Sequence, residues 1–146
     1  MNDENIRIVQ QTWQHIPPIA DTAADLFYGR LFALDPAITS LFAGTDMAVQ
    51  KTKLVSMLAA TIAGLNSSAS LLRDLRELGR RHAAYGLRPG HYATVGEALL
   101  WTLEKGLGDR WTDEVCAAWT AAYGLIAGQM RAGAVTAEAG ILRRAI

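Results

Sequence analysis

One histidine sits where an amphipathic helix should carry a leucine. The residues Leu71, Leu75, Leu78, His82 and Tyr85 are separated by steps of four, three, four and three. Those steps stay on one face of a 3.6-residue helix, so the imidazole of His82 points where the leucines point. A buried polar group without a partner costs roughly 1–3 kcal/mol. The ring nitrogens therefore need partners, and two kinds are open. His82 is either a core histidine hydrogen-bonded to a carbonyl or a ligand to a metal or haem iron.

Other polar side chains break the apolar pattern in the same way. Gln50 lies one turn before Leu54 on the stripe Leu54, Met57, Leu58, Ile62, and Tyr28 lies on a buried side beside Phe27 and Leu31. Tyr92 heads a further stripe, Tyr92, Val95, Leu99, Leu103. Each is ordinary alone. As a set, donors on two early helices, an imidazole on a later one and many apolar neighbours describe a pocket with a polar end facing a nitrogen ligand. The remaining residues offer no competing chemistry of comparable weight. His15 is off its helix stripe and reads as exposed, and His91, just after Pro89-Gly90, reads as a cap or a surface group. There is no His-x-x-x-His, no Glu-x-x-His and no second cysteine for a metal cluster. Cys116, between Val115 and Ala117, suits a structural thiol better than a nucleophile. The glycines form no phosphate loop.

Helices must position these side chains. Asp3 can cap a first helix with inner face Ile6, Val9, Trp13 and Ile16, which Pro17-Pro18 ends. A second helix is predicted from about Ile19 to Leu34. Asp35-Pro36 places a cap before a proline at the first helical position, opening a short helix that ends near Phe42. After a turn at Ala43-Gly44-Thr45-Asp46, helical spacing runs from Ala48 to Leu65, and Asn66-Ser67-Ser68 loops. A helix over about Ala69 to Tyr85 carries His82 up to the breaks at Gly86 and Pro89-Gly90. Two long helices follow, near His91 to Leu107 and Thr112 to Met130, and the small-residue tail from Arg131 to Ile146 either extends the last one or frays. No stretch alternates like a strand, and no repeat or linker divides the chain. The expectation is an all-α fold of six to eight helices in one domain over 1–146, with its core at about 3–131.

Composition narrows the function classes. Lys plus Arg and Asp plus Glu both number 14 in 146 residues, so the formal charge is zero and a nucleic-acid partner is not expected. The basic run Arg73, Arg76, Arg80, Arg81 sits among Leu71, Leu75 and Leu78 and reads as the solvated side of a helix. A hydrophobic share of 51% is ample for one packed core. The longest apolar run, Leu54 to Leu65, is interrupted by Ser56 and Thr61 and is too short to span a bilayer, so no stable membrane insertion is expected. Met1-Asn2-Asp3-Glu4 lacks the basic start and apolar stretch of a signal peptide, and the lone Cys116 can form no intramolecular disulfide. A cytoplasmic location is the expectation.

Several motifs follow one another over roughly Ile6 to Met130 with almost no gaps. They are Phe27-Tyr28 with Leu31-Phe32, Asp35-Pro36 through Leu41-Phe42, Gln50 with Leu54, and Leu78 to His82. His91-Tyr92 with Val95-Gly96, Leu107-Gly108-Asp109, and Trp119 with Ala122-Tyr123-Gly124 complete the series. This ordered set resembles the bacterial single-domain globins, of the Vitreoscilla haemoglobin type, and the globin domain of flavohaemoglobins. The resemblance implies a globin fold around haem b, iron protoporphyrin IX. His82 matches the proximal histidine that ligates the iron, and Phe42 matches the phenylalanine against the porphyrin. Tyr28 and Gln50 match the distal pair that hydrogen-bonds oxygen, and Leu54 matches the apolar residue over the iron. Arg81 and Lys53, with Arg80, are candidates for the haem propionates. Tyr92 matches a proximal-side tyrosine whose partner in flavohaemoglobins is a glutamate on the last helix. Here Ala134 stands at that glutamate position, with Gly133 before it and Glu138 one turn on, which departs from the pattern of a strongly electron-donating proximal histidine.

The function implied is reversible binding of oxygen and other diatomic gases such as CO and NO, for storage, delivery or sensing. The enzymatic alternative is nitric oxide dioxygenation to nitrate, for which a separate reductase is the implied partner because no FAD or NAD(P)H domain accompanies the motifs. A second alternative is a haem-free globin-fold signalling module, and His82, Tyr28 and Gln50 together argue against it. The expected assembly is a monomer or a homodimer.

Overall fold

A computed structural model describes the backbone of residues 1–145 and the side chains of residues 1–67 and 69–135. Six α-helices carry the fold: α1 Asp3–Trp13, α2 Ala20–Leu34, α3 Met47–Ala63, α4 Ser68–Ala84, α5 His91–Leu107 and α6 Asp113–Ala145. Short 3-10 turns at Pro17–Ile19, Pro36–Phe42, Gly64–Asn66 and Gly108–Arg110 join them. There is no strand among the described residues. None of the helices is long and apolar enough to cross a membrane, among the described residues.

Local chemistry accounts for most boundaries. The Asp35 carboxylate accepts from the Ala37 N–H at 3.2 Å and Pro36 opens the 3-10 turn, as its position before that proline predicts. Asp46 caps α3 by accepting from the Ala48 and Val49 amides. The first helix departs from expectation: Asn2, not Asp3, is its cap, its side chain accepting from the Asn5 N–H at 2.8 Å. Asp3 instead sits in the first turn, where its charge favours the positive end of the helix dipole. Tyr85 is the second correction. It is 73% exposed, because α4 ends at Ala84 and Tyr85 becomes its C-cap, leaving the helical phase that kept Leu71, Leu75, Leu78 and His82 together. The tail from Arg131 extends α6 as far as Ala145.

The core runs through all six helices, with Val9, Ile38, Leu75, Leu103 and Trp119 almost fully buried. Trp119 on α6 donates its indole N–H to the Thr12 hydroxyl at 2.9 Å, fixing α1 to α6. The α4–α6 contact is the most extensive in the fold, and glycines make it close. A Cβ on Gly79 would overlap the backbone of Met130, and one on Gly133 would overlap the backbone of Arg76. Residue numbers rise on one helix as they fall on the other, so α4 and α6 run antiparallel, with Met130 level with Gly79 and Gly133 level with Arg76.

Candidate functional site

Helices α2 to α6 and the 3-10 turn at Pro36–Phe42 enclose a largely apolar cavity of about 150 Å³, partly open to solvent. Tyr28, Phe42, Gln50, Leu54, His82 and Tyr92, six of the residues marked out in the sequence, all line it. Arg81 and Lys53 are exposed and lie outside the lining.

The imidazole is held from behind. Its Nδ1 lies 2.9 Å from the Leu78 carbonyl oxygen one turn earlier on α4. A carbonyl can only accept, so the proton belongs on Nδ1 and Nε2 presents a lone pair to the cavity. Burial pushes the His82 pKa down, the Leu78 carbonyl opposes that shift, and Arg81 adds to it. The ring is therefore neutral near pH 7, with the nitrogen a metal would need left free.

Tyr28 and Gln50 add a polar patch to the lining within an aromatic frame. Gln50 Nε2 donates to the Tyr28 hydroxyl oxygen at 3.1 Å. Tyr28 is buried, packed at 5.0 Å from Phe27 and edge-on at 5.5 Å from Phe42, ring centre to ring centre. Burial raises its pKa and the Gln50 bond opposes that rise, so the phenol keeps its proton at neutral pH. Its oxygen accepts from Gln50, and its own O–H is left to donate elsewhere. Leu54, one turn after Gln50 on α3, lines the same cavity.

Beyond His82 the wall is built by α5 and α6. The Tyr92 ring is 3% exposed, and its buried hydroxyl has no hydrogen-bond partner among the described residues. Its backbone carbonyl accepts from the Tyr123 hydroxyl at 2.5 Å. Gly96 makes room for that second tyrosine, since a Cβ there would lie 2.5 Å from Tyr123 Cε2. The Arg131 guanidinium carbon lies 5.1 Å from the centre of the Tyr92 ring. Ala134 is buried, but the antiparallel register sets it level with Leu75, about two turns before His82. Glu138 lies outside the described side chains.

His15 is exposed, as its position off the stripe predicts. His91 accepts through Nδ1 from the Arg88 N–H at 3.0 Å, closing the turn before α5. No group of three or more His, Cys, Asp or Glu could hold a metal ion among the described residues. Among the described residues a metal at this site would need its own ligand frame, and a single free imidazole nitrogen in the lining of an apolar cavity suits an iron tetrapyrrole.

A globin profile matches residues 25–130, the greater part of the sequence. The chain belongs to the globin family. Haem is the cofactor of this family and diatomic gases are its ligands. A flavohaemoprotein of Rhizobium meliloti is 36% identical over 103 residues, covering 69% of this globin and 26% of that protein. One from Bacillus subtilis is 29% identical over 129 residues, covering 87% and 32% respectively. This globin thus spans about a third or less of those relatives. An engineered carbene transferase, assigned as a nitric oxide dioxygenase of Rhodothermus marinus, shares its fold with a TM-score of 0.85, at 23% identity, over 97% of this globin and 99% of that chain.

Two residues of the site carry no role in the sequence pattern alone. Tyr123 stands in the Ala-Tyr-Gly motif, but its bond to the Tyr92 carbonyl depends on the space at Gly96, which is visible only once α5 and α6 are packed. Arg131 reads as an ordinary solvated cation, and only the path of α6 brings it over Tyr92.

Proposed function

We propose that this globin holds haem through His82 and binds oxygen reversibly, with Tyr28 as the donor that retains it. The observation that carries the proposal is the presence, in the lining of one apolar cavity, of two uncommitted groups, the Nε2 lone pair of His82 and the O–H of Tyr28. When bound, haem supplies an iron that takes an imidazole on one side and a diatomic gas on the other. His82 offers the imidazole already neutral and oriented by Leu78, so no proton has to be expelled before it can coordinate. Phe42 and Leu54 give the cofactor apolar walls and keep water out. Gln50, by donating to the Tyr28 oxygen, aims the phenol proton away from itself. A polar gas ligand such as oxygen accepts that proton. Each such bond contributes about 1–2 kcal/mol in a dry pocket, and each 1.4 kcal/mol is tenfold in affinity. Exposed Arg81 and Lys53 are the cations proposed for the carboxylates at the cofactor's edge. Purified protein supplied with haem should show a Soret band, a five-coordinate ferrous form and reversible oxygen binding. Protein that takes up no haem refutes the reading.

Nitric oxide dioxygenation is the second reading, favoured by the same uncommitted Tyr28 proton and by the kinship with flavohaemoproteins. It requires an external source of electrons. Nitrate formed in proportion to NO consumed, with an added reductase and oxygen present, would establish it, and turnover no faster than free haem would exclude it.

A further inference from the structure

Arg131 is exposed and stands outside the lining of the pocket that holds His82, but its guanidinium packs on Tyr92, which lines it, and neither oxygen binding nor haem retention requires it. Its guanidinium carbon is 5.1 Å from the Tyr92 ring centre, a cation–π distance. Tyr92 lines the cavity, is buried, and has an unpartnered hydroxyl, so no hydrogen bond of its side chain fixes the ring. Core packing and the cation over its face hold the ring, while Tyr123 bonds the backbone carbonyl of the same residue. Among the described residues no carboxylate pairs with Arg131, so its charge is not cancelled locally. It also acts on both tyrosines, countering in each the upward push of burial on the phenol pKa. The other charge felt at this wall is Arg81, beside His82 and likewise positive.

We propose that Arg131 is a positioning residue that pins the Tyr92 ring and sets a positive field on the His82 side of the pocket, favouring reduced over oxidised iron. The inference rests on the reading that His82 holds haem iron. Oxidation adds one positive charge to the haem, and a cation packed behind a wall residue opposes that addition. The Tyr92 ring, on which the guanidinium packs and which lines the cavity, is a low-dielectric neighbour, so the field is less screened there than Arg131's own solvent exposure suggests. The consequence is a protein poised to stay in its gas-binding ferrous form.

The test is the midpoint potential of the haem-loaded protein by spectroelectrochemistry, for wild type, Arg131→Met, Arg131→Gln, Arg131→Lys and the control Arg110→Met. Arg110 lies in the turn between α5 and α6 and does not line the cavity. At a fixed potential, Arg131→Met and Arg131→Gln should raise the ferric-to-ferrous ratio three- to tenfold, a fall of about 28–59 mV at 59 mV per decade. Arg131→Lys should stay within twofold of wild type, and the shift should shrink as salt rises. A ratio within twofold of wild type in both neutral variants, or an equal shift in Arg110→Met, overturns the proposal. Failure of the underlying reading looks different. The Soret band would then be absent, or unchanged in His82→Ala, before any potential is compared, and both proposals fall.

Discussion

Gln50 donates its side-chain amide to the Tyr28 hydroxyl oxygen across the α2–α3 interface, at 3.1 Å. The direction matters more than the distance. A phenol that accepts from an amide still owns its proton, and the cavity is where that proton can go. Gln50 thus works chiefly through Tyr28, although its second amide hydrogen remains available.

Tyr28→Phe removes the donor with little change of volume. Oxygen dissociation should accelerate roughly 5- to 30-fold, corresponding to a lost bond of about 1–2 kcal/mol, while carbon monoxide release changes much less because that ligand is less polar. Gln50→Leu should act in the same direction by a smaller factor, since it frees Tyr28 to turn rather than deleting it. Stopped-flow ligand replacement measures both. Equal acceleration for the two gases would mean a steric effect and defeat the hydrogen-bond account.

His82→Ala should lose haem, or hold it only with added imidazole, because among the residues lining the cavity His82 is the sole imidazole. The distal segment from Ala43 to Arg81 contains no histidine, so ferrous wild type should be five-coordinate. Absorption and resonance Raman spectra check both. Tightly bound haem with an unchanged spectrum in His82→Ala would refute the assignment.

Much of this site was legible in the sequence because helical periodicity converts spacing into direction. Tyr28, Gln50, His82 and Tyr92 each occupy a core position with a polar group, and the fold brings all four to one cavity. Periodicity holds only while the helix does, which is why Tyr85, one residue past the end of α4, points to water. It is also silent on inter-helix register. The position of Ala134, level with Leu75 instead of His82, follows from the Gly79 and Gly133 contacts, which no spacing within α6 encodes.

Those contacts make a stability prediction. Gly79→Ala forces a Cβ into the Met130 backbone, which no rotamer can relieve, so the variant should lose roughly 1–3 kcal/mol and several degrees in Tm. Gly29, inside α2, has nothing within 4 Å of a Cβ built on it, so Gly29→Ala should gain about 0.5–1 kcal/mol from helix propensity. Thermal unfolding of the haem-free pair separates the two effects. A neutral Gly79→Ala would show that α4 and α6 are less tightly apposed than the fold implies.

Alkaline pH should destabilise the protein. Burial pushes the phenols of Tyr28, Tyr92 and Tyr123 above the ordinary value of 10.0, with Gln50 opposing the shift at Tyr28 and Arg131 opposing it at the other two. Above pH 10 the unfolded chain releases these protons while the folded chain keeps them. The folded state then binds more protons, and stability falls as pH rises through that window. Tyr123→Phe should flatten the fall, since that phenol is the most strongly shifted. Urea unfolding of the haem-free protein from about pH 8 to 11 measures the slope. Constant stability across that range contradicts the assignment of these groups as buried and neutral.

Two placements of a carboxylate on α6 should behave differently. Glutamate at Ala134 enters a buried position level with Leu75, where it meets apolar core and lies about two helical turns from His82. It should cost stability through an unpaired charge and leave the iron–histidine bond as it was. Glutamate at Arg131 replaces the cation over Tyr92 with an anion beside a ring that lines the pocket. A carboxylate there can accept from the unpartnered Tyr92 hydroxyl and make the imidazole side more electron-donating. The iron–histidine stretching frequency of the ferrous protein, read by resonance Raman, should therefore rise in Arg131→Glu and stay put in Ala134→Glu. The reverse pattern would mean that the last helix meets Tyr92 one turn later than the glycine contacts place it, and that Ala134 is the residue through which the proximal side is tuned.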